Sequence, residues 1–424
     1  MLQRRVPEWL RHAPAPGVKG FAVLAGCEAV ARGILISVFP LAMYQQFQDA
    51  SLVSEVYFLV GCLSLLVGLL VPWLNRFFPR RWLYSCAALL FFVGAALAAL
   101  DERFIVAALV SSTVATVALF VCFNAYVLDY IARVELGRCE TLRMFYSAAG
   151  WTLGPVAGVY LMAWWRPAPF LIACVAVLGM LAAFLYLRLG NGKLIQKARG
   201  PAANPIAYLG RFAVQPRLLA GWLFAVIRSC GWWVYVVYLP IFAVNEGLGE
   251  ELGGTILSLS NGLLFITPVM LRWMQNRSVR QSVRVGFMGA ALLSFAGWAV
   301  AGWPMATVAA LAAGSFFLVL LDVCGGLPFL MAVKPSERTE MSEVYSSFRD
   351  VSGILTPGVA WLLLLVAPLS GLFALSGGAL LLAWGLAGRL HPRLGLRRIR
   401  VPLPEPAPDY GAVPIPVVGE GTPV

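Results

Sequence analysis

The chain has 424 residues, of which 60% are hydrophobic and only 12% are charged, and its formal net charge is +12. Soluble domains carry about 25% charged residues, so this chain has too few to cover two or three soluble domains. Its mean hydropathy of +0.81 also excludes an intrinsically disordered chain, because disorder requires low hydrophobicity. The composition predicts a protein that crosses a membrane several times.

Twelve long apolar runs follow one another along the chain, and each is close to the roughly 20 residues that a membrane helix needs. They cover residues 19–44, 55–78, 82–100, 104–128, 144–164, 168–189, 218–244, 253–274, 284–302, 305–332, 347–367 and 371–388. These runs are longer than the roughly ten-residue alternating strands of a membrane β-barrel. The predicted fold class is an all-α membrane protein with twelve transmembrane helices.

A polar stretch at 190–217 separates six predicted spans from the next six. It divides an N-terminal six-helix bundle at 19–189 from a C-terminal six-helix bundle at 218–388. Residues 1–18 form a short N-terminal segment, and the proline-rich residues 389–424 are predicted to be a disordered tail.

Positive charge is distributed unequally between the two sides of the predicted bundle. The loops after the second, fourth, sixth, eighth and tenth spans hold most of the arginine and lysine, whereas the other loops hold only Arg103 and Arg166 with several acids. Arginine and lysine concentrate in cytoplasmic loops. We therefore predict a multi-pass protein of the cell inner (plasma) membrane with both termini in the cytoplasm.

Cysteine and histidine usage argues against several kinds of chemistry. The eight cysteines occur mostly singly inside apolar runs, and the two histidines, His12 and His391, lie in polar end segments. This pattern predicts no disulfide framework, no metal site, no cofactor and no histidine proton relay. No Gly-x-x-x-x-Gly-Lys or Gly-x-Ser-x-Gly motif occurs, so neither ATP-driven pumping nor an enzyme with catalytic residues is indicated.

The two halves resemble each other at an offset near 200 residues. Pro40 in the first span matches Pro240 in the seventh, and Asn75-Arg76 after the second span matches Asn276-Arg277 after the eighth. Two parallel six-helix repeats are typical of secondary transporters, which place their substrate site near the membrane midplane. The duplication predicts two pseudo-symmetric halves around such a site.

With these features the sequence resembles the major facilitator superfamily over about residues 20–388. The loop Leu74–Arg81 resembles the gating loop of that family, although the usual Gly-x-x-x-Asp start is absent. The fifth span carries Gly150, Gly154, Pro155 and Gly158, which resemble the glycine-proline motif of its antiporters. The three glycines also form one smooth face for close helix packing, and this packing is the alternative explanation of the motif.

Four ionisable side chains are predicted to lie deep inside spans, about 12–18 Å from the nearest span end at 1.5 Å per residue. Glu28 and Arg32 share one face of the first span, while Arg228 and Asp322 lie in the seventh and tenth. The family resemblance implies that these spans line the central cavity. Buried charges are costly and usually functional, so we assign them to substrate binding or proton coupling. The alternative is that both pairs are structural.

Further polar and aromatic residues are candidates for binding or gating. Trp232, Tyr235, Asn124 and Asn261 are candidate cavity residues, with helix packing as the alternative for each. A charged group at the cytoplasmic ends of spans is predicted to form an inner gate: Arg76, Arg80, Asp129, Arg133, Arg138, Glu140, Arg349 and Asp350. Arg138 and Glu140 are expected to pair with loops of the other half.

The predicted function is secondary active transport of a small organic solute by alternating access, coupled to protons, with export favoured by the glycine-proline motif. An importer or uniporter of an organic anion or zwitterion and a non-transporting membrane sensor are the alternatives. The expected partners are a small-molecule substrate, a proton and the lipid bilayer, with no nucleic acid, and the protein is expected to be a monomer.

Overall fold

The computed structural model describes residues 17–131, 135–187, 205–275, 277–333, 341 and 344–392, and the described residues form helices without strands. We number the membrane helices α1 to α12. They are α1 (Val18–Leu35 and Val38–Phe47), α2 (Ala50–Phe77), α3 (Arg80–Leu100), α4 (Ile105–Tyr130), α5 (Leu136–Trp164), α6 (Ala168–Tyr186), α7 (Pro216–Trp233, a π-helical turn Val234–Tyr238, and Leu239–Asn245), α8 (Glu251–Gly262, a 3-10 turn Leu263–Ile266, and Thr267–Gln275), α9 (Val279–Ala299), α10 (Pro304–Cys324 and Leu327–Ala332), α11 (Phe348–Leu364) and α12 (Gly371–Ala387).

These helices confirm the predicted fold class. Within the described residues, nine helical segments are long and apolar enough to cross a membrane. The remaining three are α5, a continuous helix of 29 residues that contains Pro155, and α11 and α12, which have 17 residues each.

The predicted end segments and linker lie partly outside the described residues. Only residues 17 and 18 of the N-terminal segment are described, and only residues 389–392 of the tail. Of the predicted linker at 190–217, the structure describes a short helix, Pro205–Ala213, followed by the start of α7.

The prolines that mark the sequence repeat also mark a structural one. Helix α1 is interrupted at residues 36–37, and Pro40 lies in the short helix that follows. Helix α7 changes to a π-helical turn at Val234–Tyr238, and Pro240 follows that turn. Proline has no N–H and clashes with the carbonyl four residues earlier, so each helix is distorted just before its proline.

The N-terminal half is held together by very close packing of α5 on α1. A Cβ atom built on Gly154 would lie 2.5 Å from the carbonyl carbon of Gly33, and one built on Gly150 would lie 2.6 Å from that of Ala29. Because those neighbours are backbone atoms, a side chain cannot displace them. The glycine series of α5 therefore brings α1 and α5 into backbone contact.

The two halves meet through α2 with α11, α5 with α8, and the ends of α1 and α7. We call the side of the bundle where α6 ends and α7 begins the linker face, and the opposite side the far face. Near the far face, the Tyr44 hydroxyl donates to Asn245 Oδ1 at 2.8 Å, and the Tyr238 hydroxyl donates to Ser54 Oγ at 2.9 Å. These bonds close the far face of the bundle.

Toward the linker face, fewer contacts join the halves. At mid-depth, the Asn261 amide donates to the Trp151 carbonyl oxygen at 2.7 Å. Further toward the linker face, α5 exposes Met144, Phe145 and Tyr146. Among the described residues, these three hydrogen bonds thus join the halves at mid-depth and near the far face.

Candidate functional site

The first ion pair of the candidate site lies on α1. Arg32 Nη1 lies 3.1 Å from Glu28 Oε1, one helical turn away, and the Arg32 side chain is 39% exposed to solvent. The guanidinium carbon of Arg32 also lies 5.2 Å from the ring centroid of Trp151 on α5. An arginine over an indole face is stabilised by the ring quadrupole. Glu28 and Trp151 together hold Arg32 in place between α1 and α5.

The second ion pair joins α7 to α10. Arg228 Nε lies 3.1 Å from Asp322 Oδ1, and the Trp232 indole donates to Asp322 Oδ2 at 3.0 Å. Arg228 Nη1 also donates to the Leu321 carbonyl oxygen at 3.3 Å. Both carboxylate oxygens of Asp322 therefore face a donor on α7, which suits an ionised carboxylate at this depth.

A third guanidinium, Arg349 in the first turn of α11, lies close to both pairs. It interacts electrostatically with Arg32 and Arg228, and its guanidinium carbon lies 5.9 Å from the ring centroid of Phe120 on α4. Arg349 is exposed, although its neighbours belong to α1, α4 and α7. An exposed side chain surrounded by these helices must face a space between the two halves.

We call Glu28, Arg32, Arg228, Asp322 and Arg349 the central site. Two of its three guanidinium groups are paired with a carboxylate. Among the described residues, no carboxylate forms an ion pair with Arg349. The site therefore contains two balanced pairs and one cation that is not neutralised by direct contact.

Arg349 is one of the residues that we assign to an inner gate, and it also lies beside the central ion pairs. The sequence places it one or two turns into the eleventh predicted span, at the cytoplasmic end, and in the structure it is the second residue of α11. Phe348, the first residue of α11, is buried against Ala225 and Val226 of α7. Asp350, the next residue, is partly buried and interacts electrostatically with Arg349.

The predicted aromatic residues of α7 have different environments. Trp232 contacts the central site because its indole donates to Asp322. Tyr235 is only 4% exposed, and its hydroxyl lies 2.5 Å from Ser260 Oγ, which also accepts from Ser315 at 2.8 Å. The Tyr235 hydroxyl thus joins α7, α8 and α10, while its ring contacts Trp232 with the two ring centroids 5.8 Å apart.

The two predicted asparagines also differ. Asn124 lies four residues after Phe120 on α4, so both share one helix face toward Arg349. Asn261 on α8 donates to a backbone carbonyl of α5, as described above, and thereby joins the two halves. Asn261 is therefore an interface residue, whereas Asn124 is related to the site only through the helix face that it shares with Phe120.

The charged groups assigned to a gate pair inside the N-terminal half. Arg80 at the start of α3 lies 2.5 Å from Asp129 at the end of α4. Glu140 was expected to pair across the halves, but it lies 2.8 Å from Arg143, one turn further along α5. An intrahelical partner at this spacing is always within reach, whereas a partner in the other half depends on closure of the linker face.

Three other residues of the predicted gate have no described pairing. Arg138 is exposed on α5. Arg76 lies on α2, and its side chain is outside the described part of the structure. Arg133 lies outside the described residues.

Aromatic residues that the sequence did not single out complete the site. Trp151 lies under Arg32, while Phe120 and Phe348 contact Arg349. Trp151 follows Gly150 of the glycine motif directly, and Phe348 precedes Arg349, so proximity in sequence was an available signal for both. For the described residues, no cluster of three metal-binding side chains comes together.

Solved structures with the same fold include several transporters. A structure of the nucleoside transporter NupG aligns with a TM-score of 0.64 at 11% identity, covering 88% of this chain and 98% of that chain. A POT family transporter in complex with 5-aminolevulinic acid aligns with a TM-score of 0.70 at 13% identity, covering 87% of this chain and 95% of that chain. A D-xylose–proton symporter aligns with a TM-score of 0.66 at 14% identity, covering 89% of this chain and 97% of that chain.

No curated protein matches the sequence significantly. The family model of the Major Facilitator Superfamily matches residues 21–357, which is most of the chain. Twelve membrane helices, a central charged site between two halves and this match agree with one another. The chain therefore belongs to the Major Facilitator Superfamily of membrane transporters.

Proposed function

We propose that the protein is a proton-coupled secondary transporter that moves a small organic solute carrying an anionic group by alternating access. The observation that carries this proposal is that Arg349, which is exposed and forms no ion pair among the described residues, lies beside two arginine–carboxylate pairs. Charged side chains inside a membrane bundle usually face a water-filled cavity and mark a substrate or ion pathway, which suits three arginines contributed by both halves.

Arg349 is the proposed anchor for the substrate. Its guanidinium offers several N–H donors in one plane, which suits a carboxylate or phosphate group. Phe348 and Phe120 flank it and offer apolar surface for the rest of a solute. Organic acids and zwitterions fit this combination better than lipophilic cations, because a cation would be repelled by Arg349.

Glu28 and Asp322 are the proposed proton-binding groups. Each is stabilised by an ion pair in which a carboxylate oxygen lies 3.1 Å from an arginine nitrogen. A substrate anion that attracts Arg32 or Arg228 would weaken that stabilisation and favour protonation of the carboxylate. Substrate and proton occupancy would then depend on each other, which is what coupling requires.

The contacts at the far face fit the role of a gate that opens and closes. The two bonds that Tyr44 and Tyr238 donate join the halves through neutral groups, and each contributes about 0.5–1.5 kcal/mol. Breaking them costs little compared with the packing inside each half. We propose that the halves move as units while these bonds break and the linker face closes.

The direction of transport is proposed as export, since the α5 motif resembles that of antiporters of the family. Transport of solute and proton in the same direction is the alternative. Proteoliposomes with an imposed pH gradient of either sign distinguish the two directly: an antiporter accumulates solute on the side from which protons leave.

The test of substrate binding uses Arg349→Ala in proteoliposomes supplied with a panel of organic acids, zwitterions and neutral sugars. For the transported solutes, we expect the apparent KM to rise about tenfold or more, because a hydrogen bond to a charged group contributes about 1.5–3 kcal/mol. Arg277→Ala, which removes a charge from the linker face near Trp273, should leave KM unchanged. Equal effects of the two substitutions would contradict the role of Arg349.

The proposed orientation has a separate test. In a variant lacking the native cysteines, Arg277→Cys on the linker face should react with a membrane-impermeant maleimide only from the cytoplasm. Glu250→Cys, between α7 and α8 on the far face, should react only from outside. Labelling of either position from the other side would reverse the orientation.

A further inference from the structure

A groove on the membrane-facing surface of the C-terminal half lies between α9, α10 and α12 and has a volume of about 770 Å³. Helix α9 packs on α10 and α12 and makes no extended contact with the N-terminal half among the described residues. The groove is thus separate from the central site. It begins at the linker face, where α9 starts and α12 ends.

The end of the groove at the linker face is basic. Arg280, Gln281 and Arg284 line it, and no acidic residue is among the described lining residues. The guanidinium carbon of Arg284 lies 4.5 Å from the ring centroid of Trp384 on α12. Arg284 Nε is buried without a hydrogen-bond partner in the described structure. This end therefore offers cationic donors that the protein itself does not satisfy.

The remainder of the groove is apolar. Met288 and Leu292 continue the same side of α9 toward mid-depth, and Leu292 is 59% exposed. The ring of Phe317 from α10 fills the space above Gly289 and forms the floor of the groove. Polarity thus changes along α9 from cationic at the linker face to apolar toward the membrane centre.

The sequence on either side of the groove's linker-face end is also positively charged. Residues 272–284 contain four arginines, and residues 389–400, which follow α12, contain five, with no aspartate or glutamate in either stretch. Basic pockets between transmembrane helices at this side of a membrane favour anionic lipid headgroups. A soluble anion would use the arginines but would leave the apolar part of the groove without a function.

We propose that this groove binds an anionic phospholipid of the leaflet at the linker face. Its phosphate lies against Arg280 and Arg284, and one acyl chain lies along Met288 and Leu292. This binding is independent of the transport mechanism proposed above. It would hold α9 to α12 and anchor the C-terminal half in the leaflet.

The test measures lipid retention by native mass spectrometry of the purified full-length protein in detergent micelles containing dioleoyl-phosphatidylglycerol or dioleoyl-phosphatidylcholine. We expect phosphatidylglycerol to be retained preferentially. The double variant Arg280→Ala/Arg284→Ala should bind it at least about tenfold more weakly, because each arginine contributes about a factor of five near an anionic surface. The matched control Arg272→Ala/Arg277→Ala removes the same charge outside the groove and should retain the lipid.

A second variant tests the apolar part of the groove without removing any charge. Leu292→Trp fills the groove at an exposed position, so it should fold normally and still reduce phosphatidylglycerol retention. Three results would each overturn the proposal. They are an equal loss of phosphatidylglycerol from the two double arginine variants, equal binding of phosphatidylglycerol and phosphatidylcholine by the unchanged protein, and full retention of phosphatidylglycerol by Leu292→Trp. Displacement of phosphatidylglycerol by inorganic phosphate at constant ionic strength would also overturn it in favour of a soluble-anion site.

Discussion

Replacing Asp322 by Asn or Glu28 by Gln is expected to abolish uptake driven by a pH gradient while leaving exchange of substrate across the membrane in place. Exchange needs no net proton movement, whereas gradient-driven uptake requires a group that binds and releases a proton near mid-depth. The amide introduced by Asp322→Asn would remove titration and keep an oxygen for the Trp232 indole, while its NH2 group would face Arg228. Transport in proteoliposomes is measured with a pH gradient to test the loss of driven uptake, and without one to test whether substrate exchange remains.

The control for this experiment is Glu251→Gln, which removes a carboxylate from the exposed start of α8 at the far face. It should retain gradient-driven uptake. Full uptake by both central variants would exclude proton coupling through Glu28 and Asp322. A uniporter or a sodium-coupled scheme would then replace the proposed mechanism.

Replacing Gly154 by Leu is expected to prevent the N-terminal half from folding. The first side-chain atom alone would lie 2.5 Å from a backbone carbon of α1, so α1 and α5 must separate to admit it. Overpacking in a well-packed core costs about 1–3 kcal/mol even when side chains can adjust, and here the neighbour is backbone. We expect no monodisperse protein from Gly154→Leu and a lower Tm for Gly154→Ala.

Gly179→Ala on α6 is the matched control, because no atom lies within 4 Å of the position of its added Cβ. This substitution should keep or raise Tm, since alanine is the better helix former by about 0.8–1 kcal/mol. Size-exclusion profiles and thermal unfolding of the purified variants provide the measurement. A Tm for Gly154→Ala equal to that of the unchanged protein would contradict the packing argument.

The sequence alone was sufficient for the fold class and for the two ion pairs. Long apolar runs have few structural solutions in a membrane, because every backbone polar group must be satisfied inside the segment. The spacing of Glu28 and Arg32 by one helical turn dictates that they can pair on any regular helix. The glycine series of α5 likewise indicated close helix packing, although the sequence did not name α1 as the partner.

The composition of the central site was decided by tertiary structure. Arg349 is close to a span end in sequence, yet the packing of α11 against α2 and α7 brings it beside Arg32 and Arg228. Tyr235 lies three residues from Trp232, but the π-helical turn and the Ser260 hydroxyl direct it into a buried interface. Periodicity specifies which residues share a helix face, whereas the angle and depth at which twelve helices pack determine which faces meet. For that reason, the sequence identified the charges by itself, and only the packed bundle showed that Arg349 lies beside both ion pairs in the space between the halves.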